Sequence, residues 1–133
     1  MRVSAYMRSH VFTLLKDASV KEAARAFELY QQRLIPVVEP DDRCAGVLDP
    51  QRMATRFAQT DRGDELGGDT VTGLMEEPVV ACTPDDDVCH VMELMVRNGA
   101  AVAVVLCRGL VVGLLGWPEI LLALTERAPT QRD

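Results

Sequence analysis

The chain states one pattern twice. Val3-Ser4-Ala5-Tyr6-Met7 recurs as Val71-Thr72-Gly73-Leu74-Met75, and the same offset of 68 positions carries Val11 onto Val79, Val20 onto Val88 and Leu34 through Val38 onto Val102 through Leu106. After a one-residue deletion, Gly46-Val47-Leu48 falls on Gly113-Leu114-Leu115. A repeat of this length sets the architecture, because a unit of about 60 residues is marginal when it must bury its apolar face alone. The expectation is two halves packed about a pseudo-twofold axis, with any ligand seated between them.

Each half carries the same order of local signals. A short helical turn comes first, Val3 to Met7 or Val71 to Met75, followed by a short strand, Val11 to Leu14 or Val79 to Cys82. An amphipathic helix is next. In the first half Ser19 is the expected cap, with Glu22 placed as in a capping box. In the second half Thr83 caps, Pro84 takes the first helical position, and Asp85 and Asp86 favour the positive end of the dipole. The apolar faces are Val20, Ala23, Ala24, Phe27 and Tyr30 or Gln31, and Val88, Val91, Met92, Met95 and Val96. At helical spacing Met92 and Met95 read as core. Asn98-Gly99 ends the second helix, since glycine accepts a left-handed conformation.

Two strands then form a hairpin in each half: Leu34 to Glu39 with Ala45 to Leu48, and Ala101 to Cys107 with Leu110 to Leu115. A proline-led helix closes each half, Pro50 to Gln59 and Pro118 to Glu126. Residues 1–60 thus make the first repeat, 61–69 a polar glycine-bearing linker, 70–127 the second repeat and 128–133 a frayed tail. The fold class is α+β, two β-α-β-β-α repeats.

Composition narrows the function. The net charge of −6 lacks the basic face that nucleic acid requires. Cys44, Cys82, Cys89 and Cys107 have no Cys-x-x-Cys spacing, so they read as reduced, mostly buried thiols of a cytoplasmic protein, not zinc ligands. Arg2, Arg8 and Lys16 interrupt any leader-like apolar stretch. Ala100 to Leu124 is long enough to span a bilayer, but Arg108-Gly109 and Trp117-Pro118 cut it into strand-length pieces, so no membrane insertion is expected. Neither a Ser–His–Asp arrangement nor a nucleophile elbow nor a phosphate-cradling glycine loop is present, and an enzyme is not expected.

The pattern resembles the CBS (cystathionine β-synthase type) domain in tandem, a Bateman-type module. It is carried by Val3 to Met7, Val71 to Met75, Arg33-Leu34-Ile35-Pro36-Val37-Val38, Gly46-Val47-Leu48, Pro78-Val79-Val80, Thr83-Pro84-Asp85-Asp86, Gly113-Leu114-Leu115 and Glu119-Ile120-Leu121. The resemblance implies a regulatory module, commonly a homodimer acting on an effector protein, that needs no cofactor and binds AMP, ADP, ATP or S-adenosylmethionine between its repeats. It also implies a motif of Gly, two residues, Thr or Ser, two residues and Asp, in which the acid holds the ribose and the hydroxyl and helix start hold phosphate.

Both copies depart from that motif. After Gly46 the hydroxyl position is Asp49 and the acid position Arg52; after Gly113 they are Gly116 and Glu119. Asp49 is a natural helix cap, and its carboxylate would repel a phosphate by about 4 kcal/mol at contact in an intermediate dielectric. An exchange of roles, Arg52 on phosphate and Asp49 on ribose, stands beside that structural reading. Glu119 keeps an acceptor one methylene longer, and Gly116 is expected to leave its N–H open to a ligand. By resemblance the base is walled by Ser9, His10 and Val11 and by Glu77, Pro78 and Val79. The second-half site, Gly116 with Glu119, is the one expected to bind. The alternative is a degenerate pair kept for homodimerisation or partner docking, which the apolar run Ile120-Leu121-Leu122-Ala123-Leu124 favours.

Overall fold

The computed structural model describes residues 1–59 and 70–132, with side chains up to 126. The expected linker, 61–69, lies outside the described residues. The chain divides into two compact units, and neither is one repeat by itself. One unit is Phe12–Glu77; the other joins Met1–Val11 to Pro78–Asp133.

In the Phe12–Glu77 unit, β1 (Leu14–Leu15) pairs parallel to β2 (Ile35–Val38), which pairs antiparallel to β3 (Cys44–Leu48), giving a sheet of order β1-β2-β3. The parallel step is bridged by α1 (Val20–Tyr30), and α2 (Pro50–Ala58) follows β3. Ile35, Val37 and Leu48 pack with Val20, Ala23 and Ala26 of α1 and Met53 of α2. Ser19 caps α1 as expected, accepting from the Glu22 N–H at 3.1 Å. The apolar face of α1 is narrower than expected: Ala26 is buried in place of Ala24, and Tyr30 is exposed, stacked on Phe12 with ring centroids 4.1 Å apart.

The other unit repeats the plan. Strand β4 (Ala81–Cys82) lies parallel to β5 (Val102–Cys107), which is antiparallel to β6 (Leu110–Gly116). Between β4 and β5 runs α3 (Val88–Asn98), and α4 (Trp117–Arg132) follows β6. The segment expected to insert into no membrane is thus two strands and the start of a helix, and no helix among the described residues is long and apolar enough to cross a membrane. Met95 is fully buried with Met92 packed beside it, and Gly99 ends α3 at φ 65°. Val96, however, is 66% exposed, and Cys107 is exposed while Cys82 is buried. Helix α4 runs past Glu126 into the expected tail, with no glycine between Trp117 and Arg132 to stop it.

The cap of α3 differs from expectation. Asp87, not Thr83, accepts from the N–H groups of Cys89 and His90, at 3.1 and 3.4 Å. Thr83 to Asp86 forms a turn instead, closed by the Asp86 N–H on the Thr83 carbonyl at 3.2 Å. Its carbonyls are already committed: Pro84 and Asp86 accept from the N–H groups of Ser4 and Val3, both at 2.9 Å. A carbonyl turned toward Val3 cannot serve the helix ladder, so the helix starts later.

That contact shows how the units are assembled. The helical turn of each repeat (Val3–Ala5 and Val71–Gly73) docks on the sheet and helix of the other repeat. The Val71 N–H donates to the Ala18 carbonyl at 2.8 Å, at the position equivalent to Val3 on Asp86. Beyond each turn an antiparallel bridge fixes it to a second strand: Glu76 with Val47, and Arg8 with Leu114. The repeated glycines sit beneath these bridges. A Cβ on Gly113 would stand 2.6 Å from Met7 Sδ and 2.9 Å from the Arg8 carbonyl; on Gly46 it would stand 3.0 Å from the Glu76 carbonyl.

Two expectations follow. Gly113→Ala destabilises the protein by about 1–3 kcal/mol, more than Gly46→Ala, while Gly73→Ala, which meets nothing within 4 Å, is near neutral; denaturant unfolding measures all three. Asp87→Ala costs about 1 kcal/mol through loss of the cap. A hydrogen bond from the Met1 ammonium holds the Asp87 pKa below its ordinary value, outweighing slight desolvation. Its contribution is therefore complete above the ordinary carboxylate pKa and is lost as pH falls through the lowered one. Asp87→Asn, which keeps a cap, flattens that part of the acid limb of the stability curve.

Candidate functional site

The second-repeat residues come together where β6 passes into α4. Gly116 is the last residue of β6 and pairs with Val102. Pro118 and Glu119 lie in the first turn of α4, with the acid favourable to the dipole. Parallel pairing of Ala81 with Val104 puts Val79, two residues earlier, level with Val102. Val79, exposed, and Pro78, half-buried, therefore stand at the same end of the sheet as Gly116, with β5 between them.

The Gly116 N–H is not open, as expected, but donates to Glu119 Oε1 at 2.8 Å. This is the reciprocal arm of a capping box, in which the acid three residues into a helix returns to the N–H before it. A Cβ at Gly116 would lie 3.0 Å from that oxygen, a contact a small shift of the flexible Glu119 side chain relieves. Trp117 fixes the same junction by donating its indole N–H to the Ala100 carbonyl at 3.2 Å.

His10 and Val11 belong to this unit, but no bridge brings them to Gly116. The Arg8–Leu114 bridge is antiparallel, so the chain leaves Arg8 in the direction of Val112. His10 is exposed and Val11 half-buried.

The first-repeat pair lies in the other unit, where both residues have structural partners. Asp49 Oδ1 caps α2, accepting from the N–H groups of Gln51 at 2.8 Å and Arg52 at 3.2 Å. Arg52 Nη1 donates to both carboxylate oxygens of Glu76, each at 2.7 Å. Glu76 is the residue whose backbone bridges to Val47, so the ion pair sits on the docked turn. Arg56 reaches the same turn at the Gly73 carbonyl, 3.1 Å away. The exchange of roles proposed for Asp49 and Arg52 would have to break both arrangements.

Sequence reasoning passed over two groups. Glu76 carries no signal until the turn is known to dock beside α2. Gln32 is buried, its Oε1 accepting from the Phe12 N–H at 2.7 Å and its Nε2 donating to the Phe12 and Leu34 carbonyls at 3.0 Å each. It supplies, from a side chain, the hydrogen bonds that the short strand β1 leaves unmade before Leu14. A single glutamine after a helix gives no hint of this in sequence.

Burial, with a smaller contribution from Asp86, pushes the Cys82 thiol to about 11, and burial also raises that of Cys44, so neither offers a thiolate near neutral pH. Among the described residues no group of three or more His, Cys, Asp or Glu could hold a metal ion.

Comparison with known proteins agrees with this geometry. The CBS domain model matches residues 3–57 and 71–126. A putative acetoin utilization protein (AcuB) from Vibrio cholerae superposes with a TM-score of 0.83 at 17% identity, over 99% of this chain and 96% of that one. The CBS domain pair of protein MJ0100, in complex with 5′-methylthioadenosine and S-adenosylmethionine, gives 0.80 at 19% identity, over 96% and 98%. CBSX2 in complex with AMP gives 0.79 at 14%, over 96% and 98%. No curated protein matches the chain.

The capping arrangement predicts an order of stability effects. Glu119→Ala frees the half-buried Gly116 N–H and costs about 1 kcal/mol. Arg52→Ala removes an exposed ion pair and costs about 0.2–1 kcal/mol, screened further by salt. Denaturant unfolding at low and high ionic strength distinguishes the two, since the second loss shrinks more with salt.

Proposed function

From the premise that the chain belongs to the CBS domain family as a tandem pair, we propose that it is a non-catalytic regulatory module that senses an adenosine-type ligand and signals to an effector protein. The ligand site is the second-repeat junction: Gly116 and Glu119 with Pro78 and Val79. The observation that carries this reading is the Glu119 carboxylate, partly exposed at the head of α4, with the Gly116 N–H on one of its about four acceptor positions. The remaining positions suit a ribose diol. Val79 and Pro78, at the same end of the sheet, offer apolar surface for a base.

Relatives of the same fold bind AMP in one case and 5′-methylthioadenosine with S-adenosylmethionine in another, which supports the ligand class. A ligand regulates only by binding two arrangements unequally, so the signal must be a change in packing or assembly. Titration calorimetry with AMP, ADP, ATP and S-adenosylmethionine tests the reading. Binding of at least one is expected, and Glu119→Ala weakens it more than Arg52→Ala does. Silence from all four at millimolar concentration would sink it.

One observation favours a second reading, a degenerate pair acting in homodimerisation or partner docking. Leu121 and Leu122 of α4 are 63% and 53% exposed, while Ile120 and Ala123 are buried. Light scattering of wild type and of a Leu121→Gln/Leu122→Gln variant tests it. A dimer that the double variant dissociates is expected on this reading, and a wild-type monomer at micromolar concentration contradicts it.

A further inference from the structure

The N-terminal arm, Met1–Val11, belongs to the unit that carries the candidate site and grips the site's own element at two places. Arg8 exchanges both backbone hydrogen bonds with Leu114, two residues before Gly116 on β6. Tyr6 donates its hydroxyl hydrogen to Glu126 Oε2 on α4, 2.8 Å away. The Tyr6 ring itself packs against the buried cluster of this unit. One grip therefore lies before the β6–α4 junction and the other after it.

Helix geometry connects the distant grip with the site. Glu119, Ala123 and Glu126 stand at positions i, i+4 and i+7 of α4. Seven residues return to within about 20° of the same direction, about 10 Å along the axis. Glu119 and Glu126 thus share one stripe of the helix, and Ala123 between them is fully buried. A roll of α4 that carries Glu126 off the Tyr6 hydroxyl carries Glu119 off the Gly116 N–H as well. The contacts close a ring: Leu114 to Arg8, along the arm to Tyr6, across to Glu126, along α4 to Glu119, and back to Gly116.

We infer that the arm is a strap on the β6–α4 junction, and that Tyr6 is a positioning residue for the candidate site, acting through Glu126 on the placement of Glu119. The inference rests on the adenosine-sensing reading and deepens it. A carboxylate already held in one place loses less freedom when a ribose diol takes its remaining acceptor positions. The linkage is reciprocal: a ligand on Glu119 tightens the strap, and a loosened strap weakens the ligand.

Two measurements on the full chain test it. Tyr6→Phe keeps the packed ring and removes only the hydroxyl. In that variant, without ligand, amide hydrogen exchange is expected to speed up at least about threefold at Gly116 and to stay unchanged at the fully buried Met95 of α3. An unchanged Gly116, or equal acceleration at both amides, would overturn the positioning role. In titration calorimetry, whichever of AMP, ADP, ATP and S-adenosylmethionine binds wild type most tightly is expected to lose about three- to tenfold in affinity for Tyr6→Phe. Glu126→Ala is expected to lose as much, and the double variant no more than either alone. Glu126→Gln, which keeps an acceptor for the hydroxyl, is expected to stay within about twofold of wild type. Unchanged or tighter binding by Tyr6→Phe would overturn the inference while leaving adenosine sensing intact. No binding by wild type, with Gly116 still responding to Tyr6→Phe, would instead remove the sensing role and keep Tyr6 as the residue that places Glu119.

Discussion

The bridge from each helical turn to a second strand is the contact on which both units depend. Arg8 and Leu114 exchange both backbone hydrogen bonds, at 2.8 and 3.0 Å, and Glu76 and Val47 do the same at 2.9 and 2.8 Å. Each bridge extends a three-stranded sheet by one position with chain from the other repeat. It also requires a glycine beside it, because the crossing backbone passes where a Cβ would stand. Gly46 and Gly113 are therefore the hinge-points of assembly, and their recurrence in sequence reflects a steric need, not a chemical one.

Other features follow from that docking. Val3 and Val71 are fully buried because the turns reach the cores they complete. The Pro84 and Asp86 carbonyls face the docked turn, which delays α3 until Asp87 can cap it. Arg52 pairs with Glu76 because docking brings the residue after one turn beside α2. An arginine that stands at the acid position of the motif thereby has a structural partner on the docked turn.

The site shows the same economy. Its two departures from the expected motif look independent in sequence, a lost hydroxyl at Gly116 and a lengthened acid at Glu119. In three dimensions they meet, the Glu119 carboxylate accepting from the Gly116 N–H. The acid is long enough to return to the Gly116 N–H, as in a capping box. The Gly116 N–H is thus satisfied within the chain.

Much of the fold was legible in the sequence because periodicity and turn chemistry act locally. Ser19, Gly99, the Arg108-Gly109 hairpin and the buried faces around Val20, Val88, Val91 and Met95 could each be read from a few neighbouring residues. The repeat determined that there would be two β-α-β-β-α units. Tertiary structure alone decided the rest: which turn completes which core, why Thr83 yields its cap to Asp87, and why Gln32 is buried. It also decided that Gly116 offers no open N–H. These outcomes depend on where one backbone carbonyl or carboxylate lies relative to a segment distant in sequence, and a linear pattern carries no such distances.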